Sequence, residues 1–177
     1  NTASEPSDNG MLTLTLSQAA DQDTVVSYLV TGTADAGTDF IALSGTATIG
    51  AGSTAATIMI NPVDDAVLED AENLTVTLAS VLSGDSDITI DTNANAATVT
   101  VADDDVAIAS ITASDPTAGE SGGQGRFLVS ISNPSDKDTT LTYVVTGTAD
   151  AGDDFLALSG SVTILAGQTS ASIDVTA

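Results

Sequence analysis

Apolar and polar residues alternate with a period of two in many short runs along the chain. Leu12-Thr-Leu-Thr-Leu16, Leu74-Thr-Val-Thr-Leu78, Ala97-Thr-Val-Thr-Val101 and Phe127-Leu-Val-Ser-Ile131 are the clearest, with shorter runs at Ala47-Thr-Ile49 and Ile58-Met-Ile60. Successive side chains of a strand point to opposite faces, so this pattern describes half-buried strands with threonine on the outer face of the pleat. Gly, Asn, Asp and Pro punctuate the runs at short intervals, and no stretch sustains a helical period. The pattern predicts an all-β chain of antiparallel sandwiches. Strands are expected over about 10–17, 24–31, 40–49, 54–61, 73–80 and 96–102, then over about 106–113, 125–132, 139–146, 155–164 and 169–176.

The pattern occurs twice. The 33 residues Tyr28–Ile60 match Tyr143–Val175 without a gap, at an offset of 115 residues and about two-thirds identity. Outside that block, Asn1-Thr-Ala-Ser-Glu5 aligns with Pro116-Thr-Ala-Gly-Glu120, and Gly10-Met-Leu12 with Gly125-Arg-Phe127. Tandem copies of one domain-sized unit follow. The expected organisation is a first Ig-like sandwich over 1–105, nearly complete but lacking its first strand, and a second over 106–177, truncated before its last strands. Both ends then look cut: either the chain is excised from a longer array, or neighbouring chains supply the missing strands. The join, Ala102-Asp-Asp-Asp-Val106, is short and holds no Gly or Pro, which predicts a stiff connection.

Charge changes the picture most. The chain has 25 acidic residues, 2 basic ones and no His, for a net charge of −23. Such a surface repels nucleic acid and anionic lipid and attracts cations. No Cys is present, which excludes disulfides and thiolate sites, and no apolar run approaches the ~20 residues of a membrane-spanning helix. Counting strand directions up and down, four places share one pole: the approach to 10–17, the loop between 24–31 and 40–49, the loop between 54–61 and 73–80, and the exit from 96–102. Twelve acids of the first copy fall there: Glu5, Asp8, Asp35, Asp39, Asp64, Asp65, Glu69, Asp70, Glu72, Asp103, Asp104 and Asp105. The opposite loops hold five: Asp21, Asp23, Asp85, Asp87 and Asp91. Acids that only solvate a surface would scatter over both poles. No Lys or Arg occurs within residues 1–105, so no side-chain cation of that copy offsets the crowding. A hard divalent ion would, and Ca²⁺ takes 6–8 oxygen ligands, so several ions are expected. Without His or Cys, zinc and copper are disfavoured, and Mg²⁺ prefers to keep its waters. Asp8, Asp35 and Asp70 read as turn residues, since Asp favours turns.

At these residues the chain resembles the Calx-β domain, a family of sodium–calcium exchangers, an integrin β subunit and bacterial surface proteins. The resemblance rests on Gly32-Thr-Ala34, Ala36-Gly37, Asp39-Phe40, the pair Asp64-Asp65, Glu69 and Glu72 before Asn73, and Asp103-Asp-Asp105. It implies a Ca²⁺ cluster at one pole of the first copy, held by Glu5, Asp39, Asp64, Asp65, Glu69, Glu72, Asp103, Asp104 and Asp105, with the Val67 carbonyl as a backbone ligand. The sequence departs from the family where Phe40 and Phe155 replace a usual Tyr and where Ala66 stands in place of a common third Asp. In the second copy only Glu120 and Asp154, or Asp153, match, so no complete site is expected there.

Paired carboxylates could serve a glycosidase, but such a site needs a sugar cleft, usually aromatic-lined, and the five Phe and Tyr residues all fall in strand-like positions. An enzyme is therefore not expected. Three readings remain. The first is a Ca²⁺-stiffened structural or adhesive repeat of a long extracellular or cell-surface protein, with neighbouring repeats as partners. The second is a Ca²⁺ sensor acting through interdomain angle. The third is a subunit that self-assembles by strand addition into a filament. Nucleic-acid binding and membrane insertion are not expected.

Overall fold

The computed structural model describes all residues, 1–177. The alternation becomes strands wherever a partner strand is at hand to complete the ladder. In order these are β1 (Thr2–Ser4), β2 (Gly10–Thr15), β3 (Thr24–Gly32), β4 (Thr46–Ile49), β5 (Ala55–Ile60), β6 (Glu72–Ser83), β7 (Ala96–Ala102), β8 (Ala109–Asp115), β9 (Gln124–Ile131), β10 (Thr139–Thr142), β11 (Ser161–Ile164) and β12 (Ser170–Thr176). The chain forms two compact units: Asn1–Asp65 with Asp70–Asp104, and Ala66–Glu69 with Asp105–Ala177. Both are all-β.

In the first unit a five-stranded sheet, ordered β1-β7-β6-β3-β4, faces a two-stranded sheet, β2-β5. Along β2 the period of two is strict: Gly10, Leu12 and Leu14 are buried while Met11, Thr13 and Thr15 are exposed. Antiparallel pairing sets Leu12 against Ile58 and Gly10 against Ile60, so the inward residues of both strands meet one face. They pack with Tyr28, Phe40, Leu74, Val76, Val99 and Val101 from the larger sheet and its loops. Burying each of these side chains stabilises the fold by about 1.5–3 kcal/mol. A second cluster of Leu14, Val26 and Ile49 continues the core towards the opposite end.

In the second unit β12-β9-β8 form one sheet and β10-β11 another. Val129, Ile131, Ile164 and Ile173 make its core.

Three expectations need correction. Thr2–Ser4, assigned to a connection, is a strand, running parallel to β7 with Ala3 opposite Val101. Ala3 is fully buried, which holds the segment down. The strands expected over 40–49 and 155–164 are strands only over Thr46–Ile49 and Ser161–Ile164. Gly45 and Gly160, at φ of 78° and 77°, turn the backbone just ahead of each, a conformation the extended ladder does not accept. The strand expected over 139–146 stops at Thr142. Its counterpart β3 continues to Gly32 because β6 pairs along it, and the second unit holds no strand in that position.

Candidate metal centre

Backbone pairing brings together chain segments far apart in sequence. Residue Glu5 follows β1, and its N–H donates to the Ala102 carbonyl at 3.1 Å, continuing the β1–β7 pairing beyond its last bridge. This fixes Glu5 beside the exit of β7, where Asp103 and Asp104 stand. The loop after β5 arrives by another route. Phe40 bridges Pro62, the Ile41 N–H donates to the Asn61 carbonyl at 2.9 Å, and the Val63 N–H donates to the Asp39 carbonyl at 3.1 Å. Asp64 and Asp65 follow directly, and the Asp65 N–H donates to Glu5 Oε2 at 3.2 Å.

The result is a carboxylate cluster in the first unit. Glu5, Asp64 and Asp104 each offer an oxygen within 4.8 Å of the others, and Asp103 offers one within 4.8 Å of Glu5. Opposite ligands of a Ca²⁺ ion, each at ~2.3–2.6 Å, span about that distance. Glu5 is buried, with 8% of its surface exposed, whereas Asp64 and Asp104 are exposed. An inner carboxylate with outer ones around it, all hard oxygen donors, fits a hard divalent cation and offers nothing to soft or imidazole-seeking metals.

The remaining residues of the expected set lie as follows. Asp39 is buried at 8% exposure, and its carboxylate accepts the Asp35 N–H, closing the turn between Asp35 and Asp39. The second unit repeats this turn, with the Asp150 N–H donating to Asp154 Oδ2 at 2.8 Å. A turn-closing role for this aspartate thus recurs in both copies and was not drawn from the sequence, although Asp four residues after Asp is a visible signal. Glu72 opens β6 opposite Val101. Val67 and Glu69 lie in the segment Ala66–Glu69, which belongs to the second unit; there the Leu68 N–H donates to the Pro134 carbonyl at 2.9 Å. Asp105 is the first residue of the second unit's main segment.

The structure also explains the Gly32-Thr-Ala34 motif. Thr33 and Ala34 both donate their N–H groups to the Asn73 carbonyl, at 2.9 and 3.0 Å, and the Asn73 N–H donates to Thr33 Oγ1 at 3.0 Å. Gly32 takes φ of 150°, and a Cβ there would lie 2.1 Å from the Asn73 oxygen. The motif pins the start of β6, and hence Glu72, against the end of β3.

Tandem β-sandwiches with a carboxylate cluster at the strand ends define a class of hard-cation-binding modules. The particular family is the Calx-beta domain, which matches residues 2–105 and again 103–177; the chain belongs to it. Among solved structures, the chain is similar to the calcium binding domain CBD12 of CALX1.1, at 21% identity and a TM-score of 0.50, over 98% of this chain and 71% of that one. It is also similar to CBD12 from CALX1.2, at 19% identity and a TM-score of 0.49, over 98% and 70%. The CBD1 domain of Calx in its apo form matches at 26% identity and a TM-score of 0.49, over 59% of this chain and 89% of that one. No curated protein matches the sequence.

Proposed function

We propose that the chain is a Ca²⁺-binding structural repeat of a long extracellular or cell-surface protein, with an adhesive or scaffolding role. The observation that carries this reading is the buried Glu5 carboxylate with Asp64 and Asp104 oxygens within 4.8 Å, in a copy of 105 residues that contains no Lys or Arg. Glu5, Asp64 and Asp104 are the ligands the geometry favours, with Asp103 beside them. Asp39, Asp65 and Glu72 belong to the same unit, and their carboxylates would complete the coordination of more than one ion. Val67 and Glu69 stand on the family resemblance alone.

The family supports the choice of ion, since the CALX1.1 relative is itself described as a calcium binding domain. Asp103, Asp104 and Asp105 lead directly into the second repeat, without Gly or Pro. An ion held by Asp104 therefore orders the backbone that links the repeats, and Ca²⁺ stiffens the join. The tandem repetition favours an extended, multi-repeat setting, where neighbouring repeats are the natural partners. No catalytic step is assigned.

The test is a thermal melt of the whole chain in millimolar Ca²⁺, in millimolar Mg²⁺ and in chelator. Binding to the native state alone stabilises it by RT ln(1 + [L]/Kd), about 2.7 kcal/mol at 100-fold excess over Kd. A rise in melting temperature with Ca²⁺ that Mg²⁺ does not reproduce is expected. Identical melts in all three solutions would refute the reading.

A further inference from the structure

Residues 41–63 form the longest run of the chain without an ionisable side chain, in a protein of net charge −23. Strands β4 and β5 both lie in this run, and each has one edge that no strand pairs. The edge of β4 is closed by Ser44, whose hydroxyl donates to the Thr46 carbonyl at 2.9 Å, as Ser159 does to Ser161 in the second unit at 2.7 Å. The edge of β5 has no such cap. The Leu16 N–H donates to the Thr54 carbonyl at 2.8 Å, which fixes the phase of the β2–β5 ladder. Thr54, Ala56, Ile58 and Ile60 therefore turn their backbone groups to β2, and Ala55, Thr57 and Met59 turn theirs to the open edge. The side chains of the same three residues are exposed.

Sheet edges are usually guarded by charge, proline or a bulge. Strand β5 has no charged residue and no Pro, and its register with β2 is unbroken. The second unit marks the difference. There the counterpart of Met59 is Asp174, which pairs across β12 and β9 with Arg126, the counterpart of Met11. The first unit instead sets Met59, 42% exposed, opposite Met11, and these are the chain's two methionines. Methionine is a polarizable, adaptable contact residue. Alongside lies a groove of about 380 Å³ between β4 and β5, lined in part by Tyr28, Ile41, Leu43 and Met59.

We propose that β5 pairs antiparallel with β5 of a second copy of this chain, through the first unit of each. The phase of the open edge selects the register: Thr57 lies opposite Thr57 of the second copy, and Ala55 opposite its Met59. The two-stranded sheet becomes a four-stranded one, β2-β5-β5-β2, about a twofold axis at Thr57. Each Met59 then covers an Ala55, large against small. The two Thr57 hydroxyls meet as those of Thr75 and Thr98 do at 2.7 Å. The axis stands perpendicular to the sheet, so the two grooves beside β4 meet and close. Charge selects the occupant. Two chains of net charge −23 repel one another, and they approach at least cost where neither carries an acid. A cationic partner would be drawn to the acids instead. A six-residue strand is ~20 Å long, and with both grooves the contact covers on the order of 1,000 Å², the low end for a specific interface, so the dimer is weak. No carboxylate of the metal centre takes part, so the inference stands apart from the calcium reading.

The experiment is sedimentation velocity of the whole chain in chelator, from micromolar to millimolar concentration, at about 0.05 and about 0.5 M NaCl. A monomer–dimer equilibrium with nothing larger is expected. Salt is expected to favour the dimer, because it screens the acids and the contact holds no ion pair. Thr57→Asp sets two carboxylates opposite one another at the axis and is expected to weaken the dimer roughly tenfold or more. Its melting temperature as monomer is expected to match the wild type, since Thr57 is exposed. Cross-linking reads the register, in a chain without cysteine. Thr57→Cys is expected to be joined to its equivalent by a short bismaleimide, whereas Ser172→Cys, at the exposed counterpart position of β12, is not. A chain monomeric at millimolar concentration in high salt would overturn the proposal. So would a dimer that Thr57→Asp leaves intact, growth beyond the dimer, a dimer dissolved by salt, or equal cross-linking of the two cysteine variants.

Discussion

Replacing Glu5 by Gln separates the two faces of the carboxylate cluster, because the change should stabilise the ion-free protein and weaken the Ca²⁺-loaded one. Asp64, Asp103 and Asp104 each bring an oxygen within 4.8 Å of a Glu5 oxygen. Two unit charges at that separation repel by about 0.9 kcal/mol at a dielectric of ~80 and by about 3.5 kcal/mol at ~20. Asp64 and Asp104 are exposed, which places their pairs near the lower figure. Removing the Glu5 charge therefore relieves roughly 1–3 kcal/mol in chelator. Gln keeps the size of Glu, and its amide oxygen can still accept the Asp65 N–H, so packing and the backbone tether survive. In Ca²⁺ the sign reverses. The wild type gains about 2.7 kcal/mol at 100-fold excess over Kd, whereas the variant has lost the buried anionic ligand and gains markedly less. The assay is urea unfolding in chelator and in Ca²⁺ on a Tyr143→Phe background, where Tyr28, buried in the first core, becomes the sole tyrosine reporter. The variant is expected to unfold at higher urea than its parent in chelator and at lower urea in Ca²⁺. A variant less stable than its parent in chelator, or one that gains as much from Ca²⁺, would refute the reasoning.

Two further outcomes test the scaffold that carries the cluster. Phe40, 2% exposed and packed in the first core next to the Asp39 turn, is expected to cost about 3–5 kcal/mol as Phe40→Ala in equilibrium denaturation; a loss below ~1 kcal/mol would show that the core does not rest on it. Gly32→Ala is expected to destabilise the first unit by more than about 1 kcal/mol and to weaken the Ca²⁺ response, because its Cβ collides with the Asn73 oxygen and pushes the start of β6 away; a neutral melt would refute that account of the motif.

Much of the fold was legible from local pattern. The alternations in β2, β5, β6, β7 and β9 already state which side chains point inward, because a strand's period of two depends only on backbone geometry. The errors fall where a neighbour decides. Tyr143-Val-Val145 has the same strand-forming residues as Tyr28-Leu-Val30, yet only the latter meets β6 and becomes part of a sheet. Thr2–Ser4 carries almost no strand signal over three residues, and becomes a strand because β7 offers its edge. Gly45 and Gly160 were present in the sequence as turn residues, but their place inside apparent strands hid them.

The candidate site divides in the same way. Composition and the absence of basic residues in the first copy already called for a cation, and the count of strand directions placed twelve acids at one pole. Charge and period are sums over the chain and need no coordinates. Which acids share an ion is a different matter. Asp39 reads in sequence as a ligand like Asp64, and the structure adds that its carboxylate also accepts the N–H that closes its own turn, as Asp154 does in the second copy. Glu5 gains its place from the β1–β7 pairing and the backbone bond to Ala102, 97 residues away, that extends it. Coordination depends on oxygen positions at the scale of an ångström, and those positions are set by long-range pairing between strands, which only the tertiary structure supplies.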